Sequence, residues 1–254
     1  RDRDNTYLYM GTDNGILIYN YRTDRYEQPA TDFPTDVRTM ALQGDTLWIG
    51  ALNGLYTYQL QNRKLSPLDT KRNGLPHNTI YSIIRTGDNQ IYVGTYNGLC
   101  RYIASNGKFE KIPLPVNSSQ SNLFVNSLLE DTGRQCIWIG TEGYLFQYFP
   151  STGQMKQTEA FHNNSIKSLA LDGNGDLLAG TDNGLYVYHN DVTPLQHIIH
   201  DSRNIQSLTN NIIWNIFADQ EHNIWLGTDY GISLSRYNSA LQFIPISQIT
   251  GTVS

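Results

Sequence analysis

Three observations predict an all-β chain organised as a β-propeller of four-stranded antiparallel blades. First, one hairpin signature recurs six times: LYMGTDNGILIY from Leu8, LWIGALNGLYTY from Leu47, IYVGTYNGLCRY from Ile91, IWIGTEGYLFQY from Ile137, LLAGTDNGLYVY from Leu177 and IWLGTDYGISLS from Ile224. Second, its first glycines fall at 11, 50, 94, 140, 180 and 227, so the intervals are 39, 44, 46, 40 and 47 residues. A period of that size marks one supersecondary unit used repeatedly. Third, the 254 residues include 17 tyrosines and 21 glycines, a composition suited to short strands and tight turns.

Each repeat is expected to hold four strands. A leading strand comes first in five copies: DVRTMALQGD, NTIYSIIRTGDNQ, LFVNSLLEDTGRQ, SIKSLALDGNGD and NIIWNIFADQEHN. The apolar triplet before the first glycine reads as the second strand. In four copies Asn-Gly follows (14–15, 53–54, 97–98, 183–184), the pair that best supplies positive φ to a hairpin turn. The fourth copy moves its glycine to Gly143, and the sixth carries two extra residues before Arg236-Tyr237, read as a bulge. The third strand carries a recurrent tyrosine (58, 102, 148, 188), and a polar strand such as RKLSPLD or GKFEKIPL trails it. The blades are placed at 1–34, 35–73, 74–118, 119–161, 162–206 and 207–254 within one propeller domain or fragment, the first without its leading strand. A β-sandwich would not keep this period, and no amphipathic helical stretch competes.

Net charge −5 and a pI near 5.6 give no electrostatic reason to expect nucleic acid or an anionic membrane as partner. No apolar run approaches the ~18 residues of a membrane span. Cys100 and Cys136 match no metal or redox spacing and read as two unrelated thiols. The six histidines, at 77, 162, 189, 197, 200 and 222, show no convergent ligand set, so neither metal nor cofactor is expected. DGNGD at 172–176 starts like a calcium loop, but the sixth and twelfth places hold Leu177 and Asn183, so a turn is expected. No G-x-S-x-G nucleophile elbow occurs. The sequons at 117–119 and 163–165 would matter only in a eukaryotic secretory setting. The opening RDRDNTYLYMG, with no initiator Met, reads as a mature segment or an excised piece.

The repeats serve as controls for one another. Trp48, Tyr92, Trp138 and Trp225, with Tyr9 and Leu178, hold one second-strand position and are expected to fill the space between blades. On the leading strands, Arg38, Tyr81, Asn126, Lys167 and Trp214 share one position that changes chemistry from copy to copy. The residue after it stays small and polar: Thr39, Ser82, Ser127, Ser168 and Asn215. In a propeller the leading strand lies nearest the axis, so the variable residues would ring a funnel mouth. Aromatic faces and amide or cationic donors there suit a sugar; ordinary rim variation is the competing reading. Strand-entry loops add His77, Asn78, Asn122, Phe124, His162, Asn163, Asn164, Asn210 and Asn211. Hairpin loops add Asp13, Tyr96, Glu142, Asp182, Asp229 and Tyr230, of which Tyr96 and Tyr230 are least explained by turn chemistry.

WIGT-x-NGL-x-x-Y after an apolar strand and Asp/Gly turn resembles the two-component regulator propeller repeat, most fully at 207–237 and nearly as well at 74–102. The resemblance implies the periplasmic sensor region of a Bacteroides-type hybrid histidine kinase. There, tandem propellers precede an immunoglobulin-like domain, one membrane helix and cytoplasmic kinase and regulator modules. It also implies oligosaccharide sensing, dimerisation through the parent receptor, and no catalysis by the propeller itself. The sequence holds no kinase motif, and six repeats against the usual seven point to a fragment of a seven-bladed or tandem propeller. Two other readings stand beside the sensor: a propeller lyase or glycoside hydrolase using the same funnel, and a protein-interaction platform.

Overall fold

The computed structural model describes residues 6–27, 32–115, 123–158, 164–189, 196–237 and 242–245. Asn122, His162, Asn163, the sequon at 117–119 and the start of that at 163–165 lie outside them. The described residues form six antiparallel sheets, each ordered as a simple meander, which are the blades of a β-propeller. The first sheet has three strands and the other five have four. The leading strands are Val37–Gln43, Ile80–Arg85, Val125–Asp131, Ile166–Leu171 and Ile213–Ala218. The second strands run over Tyr7–Thr12, Thr46–Ala51, Ile91–Thr95, Cys136–Thr141, Leu177–Thr181 and Ile224–Thr228. One helical turn, Thr70–Asn73, interrupts the β structure; Asp69 caps it by accepting from the Arg72 amide at 2.7 Å. The chain divides into two compact units, Arg1–Val125 and Asn126–Ser254.

The hairpin signature is built for its turn. Gly15 and Gly184 take φ of 115° and 97°, which side-chain-bearing residues adopt only with strain. The threonine after the first glycine clamps the same turn. Thr12, Thr95, Thr181 and Thr228 each donate to the carbonyl three residues on, at 2.8–3.0 Å, and accept the amide two residues on. In the sixth hairpin the register runs unbroken from Thr228↔Gly231 to Ile224↔Ser235. The bulge expected there is absent: buried Ser235 takes the place of the recurrent tyrosine, and Tyr237 lies past the strand against His222.

The first glycine of each signature has a different reason, which is closeness of the next blade. A Cβ on Gly11 or Gly50 would meet Val37 or Ile80 at 2.6 or 2.5 Å. In the second unit, a Cβ on Gly140 or Gly180 would meet Ile166 or Ile213 at 2.6 or 2.7 Å. Gly227 differs: among the described residues only Asn215 of its own blade comes within 4 Å of that position. The same face carries Phe217 and Ile232, 62% and 45% exposed.

Aromatic filling follows the expected pattern at Trp48 and Trp138, whereas Trp225 at the equivalent place is only half-buried. Trp138, 1% exposed, packs with Ile166, Leu169, Leu177, Ala179 and Tyr188 of the following blade. Trp48 does the same against Ile80, Ile83, Ile91 and Val93, and Leu178 against Ile213, Ile216, Ile224 and Leu226. Burying an indole strands its N–H unless an acceptor is near. Each second-strand tryptophan finds one at or just past the end of the preceding leading strand: Trp48 donates to Gln43 at 3.1 Å, Trp138 to Asp131 at 3.1 Å and Trp225 to Asp219 at 2.9 Å. Arg134 completes the pattern, pairing with Asp131 at 2.8 Å while reaching the carbonyls of Gly175 and His189 at 2.9 and 3.1 Å. Cys100 and Cys136 are buried thiols not joined by a disulfide, and burial pushes the Cys100 thiol well above its ordinary range.

Candidate functional site

The small polar residues of the leading strands are the bolts between blades. Thr39 accepts the Ile83 amide at 3.1 Å, and Ser82 donates to the Val125 carbonyl at 3.1 Å. In the second unit Ser127 donates to the Ile166 carbonyl at 3.3 Å, and Ser168 accepts the Ile216 amide at 3.0 Å. Consecutive leading strands therefore lie side by side within each unit. This bolting is why the position stays small and polar from repeat to repeat.

The variable residues sit one place before these bolts, on bulges. Pairing of leading with second strands jumps between Val37 and Thr39, Ile80 and Ser82, Ile166 and Ser168, and Ile213 and Asn215. The residues left out of the ladder are Arg38, Tyr81, Lys167 and Trp214. A bulge frees one residue from strand alternation and re-aims its side chain, a device common beside functional sites. These positions vary because pairing and blade packing both pass them by.

In the first unit four of the residues singled out from the sequence come together. Tyr96, in its hairpin turn, lies 4.8 Å from His77 and 4.2 Å from Phe124, ring centre to ring centre. Tyr81 lies 6.0 Å from Phe124. His77 is fixed from behind, its Nδ1 accepting the Thr79 amide at 3.0 Å. All four rings are half-buried, forming a partly open aromatic wall. Arg38 joins no such cluster; it is exposed.

In the second unit the bulge residues meet the hairpin carboxylates. Lys167 pairs with Asp182 at 2.8 Å, and its ammonium lies 4.3 Å from the Trp214 ring centre. The Trp214 indole donates to Asp229 at 2.6 Å. Asn126 donates to Glu142 at 3.2 Å and to Ser165 at 2.9 Å; Ser165 donates to Glu142 at 2.9 Å and, through its amide, to Asp182 at 3.3 Å. One chain of contacts thus runs from Asn126 to Asp182, and Lys167 and Trp214 extend it to Asp229. Trp214 nevertheless stays 55% exposed and Tyr230, beside Asp229, 84% exposed. The result is an aromatic platform flanked by fixed hydrogen-bond acceptors, a surface that can stack a ring face and receive hydroxyl donors.

The calcium-like segment is spent on its own turn, with Asp172 accepting the amides of Asn174 and Asp176, each at 2.8 Å. Asp176 pairs with His189 at 2.7 Å. Among the described residues no group of three or more His, Cys, Asp or Glu converges on a metal position, and no described helix is long and apolar enough to cross a membrane.

Comparison with known proteins shows what these features resemble. The sequence model of the two-component regulator propeller matches residues 74–97 and 207–230. The extracellular domain of BT4673 from B. thetaiotaomicron, described as a one-component system in one crystal structure and a hybrid two-component system in another, is 90% identical over all of this chain, with a TM-score of 0.90. This chain covers 34% of it. The extracellular domain of the B. thetaiotaomicron hybrid two-component system BT3049 is 21% identical with a TM-score of 0.74, over 92% of this chain and 32% of that one, a likeness of fold. Histidine kinase P4 of Formosa agariphila is 28% identical over 97% of this chain, which spans 19% of the kinase. The chain therefore covers about a third of those solved domains and a fifth of that kinase. Two of its repeats thus match the two-component regulator propeller, and its whole length is similar to the extracellular domain of a B. thetaiotaomicron hybrid two-component system.

Proposed function

We propose that this chain is the ligand-sensing propeller module of a periplasmic receptor region, coupled to a histidine kinase encoded outside these residues. The observation that carries the reading is 90% identity, over the full chain, to an extracellular domain of a hybrid two-component system. The ligand in this reading is an oligosaccharide or similar polysaccharide breakdown product. The leading-strand residues support it: Trp214, Tyr81 and Lys167 are excluded from pairing yet held by aromatic or carboxylate partners, and Asn126 at the equivalent place donates to Glu142. A site whose side chains are positioned before binding loses less entropy when ligand arrives. The signal passes through a change in how two receptor subunits sit, because two states with different ligand affinity are what binding can bias.

Glu142, Asp182 and Asp229 beside an aromatic platform also favour a second reading, a glycoside hydrolase, which needs two carboxyl groups ~5–10 Å apart across a glycosidic bond. A thermal-shift screen of the full-length protein against an oligosaccharide panel, with product analysis of every hit, separates the readings. The sensor reading expects stabilisation by about 2.7 kcal/mol at a hundred times the dissociation constant, with no product formed. Product release would replace it with the hydrolase, and the absence of any shift would remove the small-ligand reading.

A further inference from the structure

The second unit's site has a sign. Glu142, Asp182 and Asp229 contribute three carboxylates and Lys167 one ammonium, a net of −2 (three negative, one positive). The single cation is already engaged: Asp182 holds it at 2.8 Å, the Trp214 ring covers it at 4.3 Å, and its side chain is only 18% exposed. Three other cations of this unit hold partners elsewhere, Arg134 on Asp131, Lys156 over Phe149 and Arg203 on Asp201. Glu142 and Asp229 are exposed, and each uses one carboxylate oxygen on a neighbour, Ser165 and Asn126 for Glu142 and the indole for Asp229. Their second oxygens make no hydrogen bond among the described residues. A carboxylate only accepts, so these oxygens receive donors and repel further acceptors that carry charge.

We propose that this site selects uncharged, hydroxyl-rich oligosaccharides and turns away anionic ones such as uronates and sulfated sugars. The inference rests on the sensor reading and adds the chemical class of its ligand. A neutral sugar supplies what each group lacks: C–H faces for the open side of Trp214, and hydroxyl protons for Glu142 and Asp229. An anionic sugar stacks equally well but sets its charge against two carboxylates, with Lys167 already neutralised by Asp182.

Calorimetric titration of the full-length protein tests this with ligand pairs matched in linkage and length, hexose oligosaccharides against their uronate counterparts. The expected result is a hexose binding at least about fivefold tighter than its uronate at low salt, a preference that shrinks as salt screens the charges. In Glu142→Gln with Asp229→Asn, each amide oxygen still accepts its internal bond, so the hexose-to-uronate ratio should fall towards one. Uronates binding as tightly as hexoses, or a ratio unmoved in the double variant, overturns the proposal. Uronate binding that is lost in Trp214→Ala overturns the charge selection while leaving the sensor reading in place. Binding of neither set overturns both.

Discussion

At the scale of single residues, two tryptophans of one unit show how position decides role. Trp138 is enclosed between blades and donates to Asp131, so Trp138→Ala should cost about 3–5 kcal/mol, as large core truncations do. Trp214 is on a bulge with most of its surface in water, and Trp214→Ala should change stability by no more than about 0.5 kcal/mol. Urea unfolding of both variants checks the contrast; equal losses would mean that the bulge residue is part of the core. Asp131 gives a second test. Burial acts to raise its carboxyl, but the Arg134 amide, the Trp138 indole, and the Arg134 guanidinium with its charge outweigh burial and hold it below the usual carboxylate range. The Trp225 indole and the Asn223 side chain, together with backbone amides, do the same for Asp219. Groups depressed in the folded state add stability that is complete above the ordinary aspartate pKa of about 3.9 and is lost as pH falls through the folded values. Asp131→Asn should therefore be less stable at neutral pH and lose stability less steeply on acidification below about pH 4. An acid limb identical to that of the unaltered protein would show that Asp131 is not its source.

At the scale of elements, Thr39, Ser82, Ser127 and Ser168 add a hydroxyl bolt beside the close-packed glycines of the blades. Gly140→Ala would set a methyl group 2.3 Å from the Ser127 hydroxyl and 2.6 Å from Ile166, an overpacking worth about 1–3 kcal/mol. Gly227→Ala meets nothing closer than 3.9 Å among the described residues and should be close to neutral. If both cost the same, backbone flexibility rather than the neighbouring blade explains these glycines. Removing one bolt, as in Ser168→Ala, should cost about 1 kcal/mol for a lost buried hydrogen bond. Much of this level was legible in the sequence. Six copies of one signature fixed the blade, the hairpin and the filling aromatics, because those positions serve the same purpose in every repeat. Two extra residues before Arg236-Tyr237 suggest a bulge in the sixth hairpin, but the register there is continuous, and Tyr237 falls beyond the strand. The real bulges at Arg38, Tyr81, Lys167 and Trp214 left only an indirect trace, variability flanked by constancy. A bulge is set by how the next blade's strand is bolted, which no single repeat encodes. Glu142, Asp182 and Asp229 were named as loop residues, but their pairing with Asn126, Lys167 and Trp214 brings together positions 15 to 16 apart that only the folded hairpin juxtaposes.

At the scale of the whole molecule, the proposed function gives scaffold and recognition to different residues of the same strands, so that the repeat can be kept while its bulges change. Each unit carries its own cluster, aromatic around Tyr96 and Phe124 in one, and charged around Lys167 and Trp214 in the other. Replacing Tyr96 or Trp214 by Ala in separate variants should therefore identify which cluster carries ligand affinity. The central claim is that the bulge residues bind ligand while the repeated residues only build the blade. The most direct measurement is calorimetric titration of the full-length protein with an oligosaccharide found by thermal shift, comparing Trp214→Ala and Lys167→Ala with Ser168→Ala. The account predicts that the two bulge variants stay folded and lose affinity by at least about tenfold, a difference of about 1.4 kcal/mol, while Ser168→Ala binds as the unaltered protein does. Unchanged affinity in both folded bulge variants would contradict it.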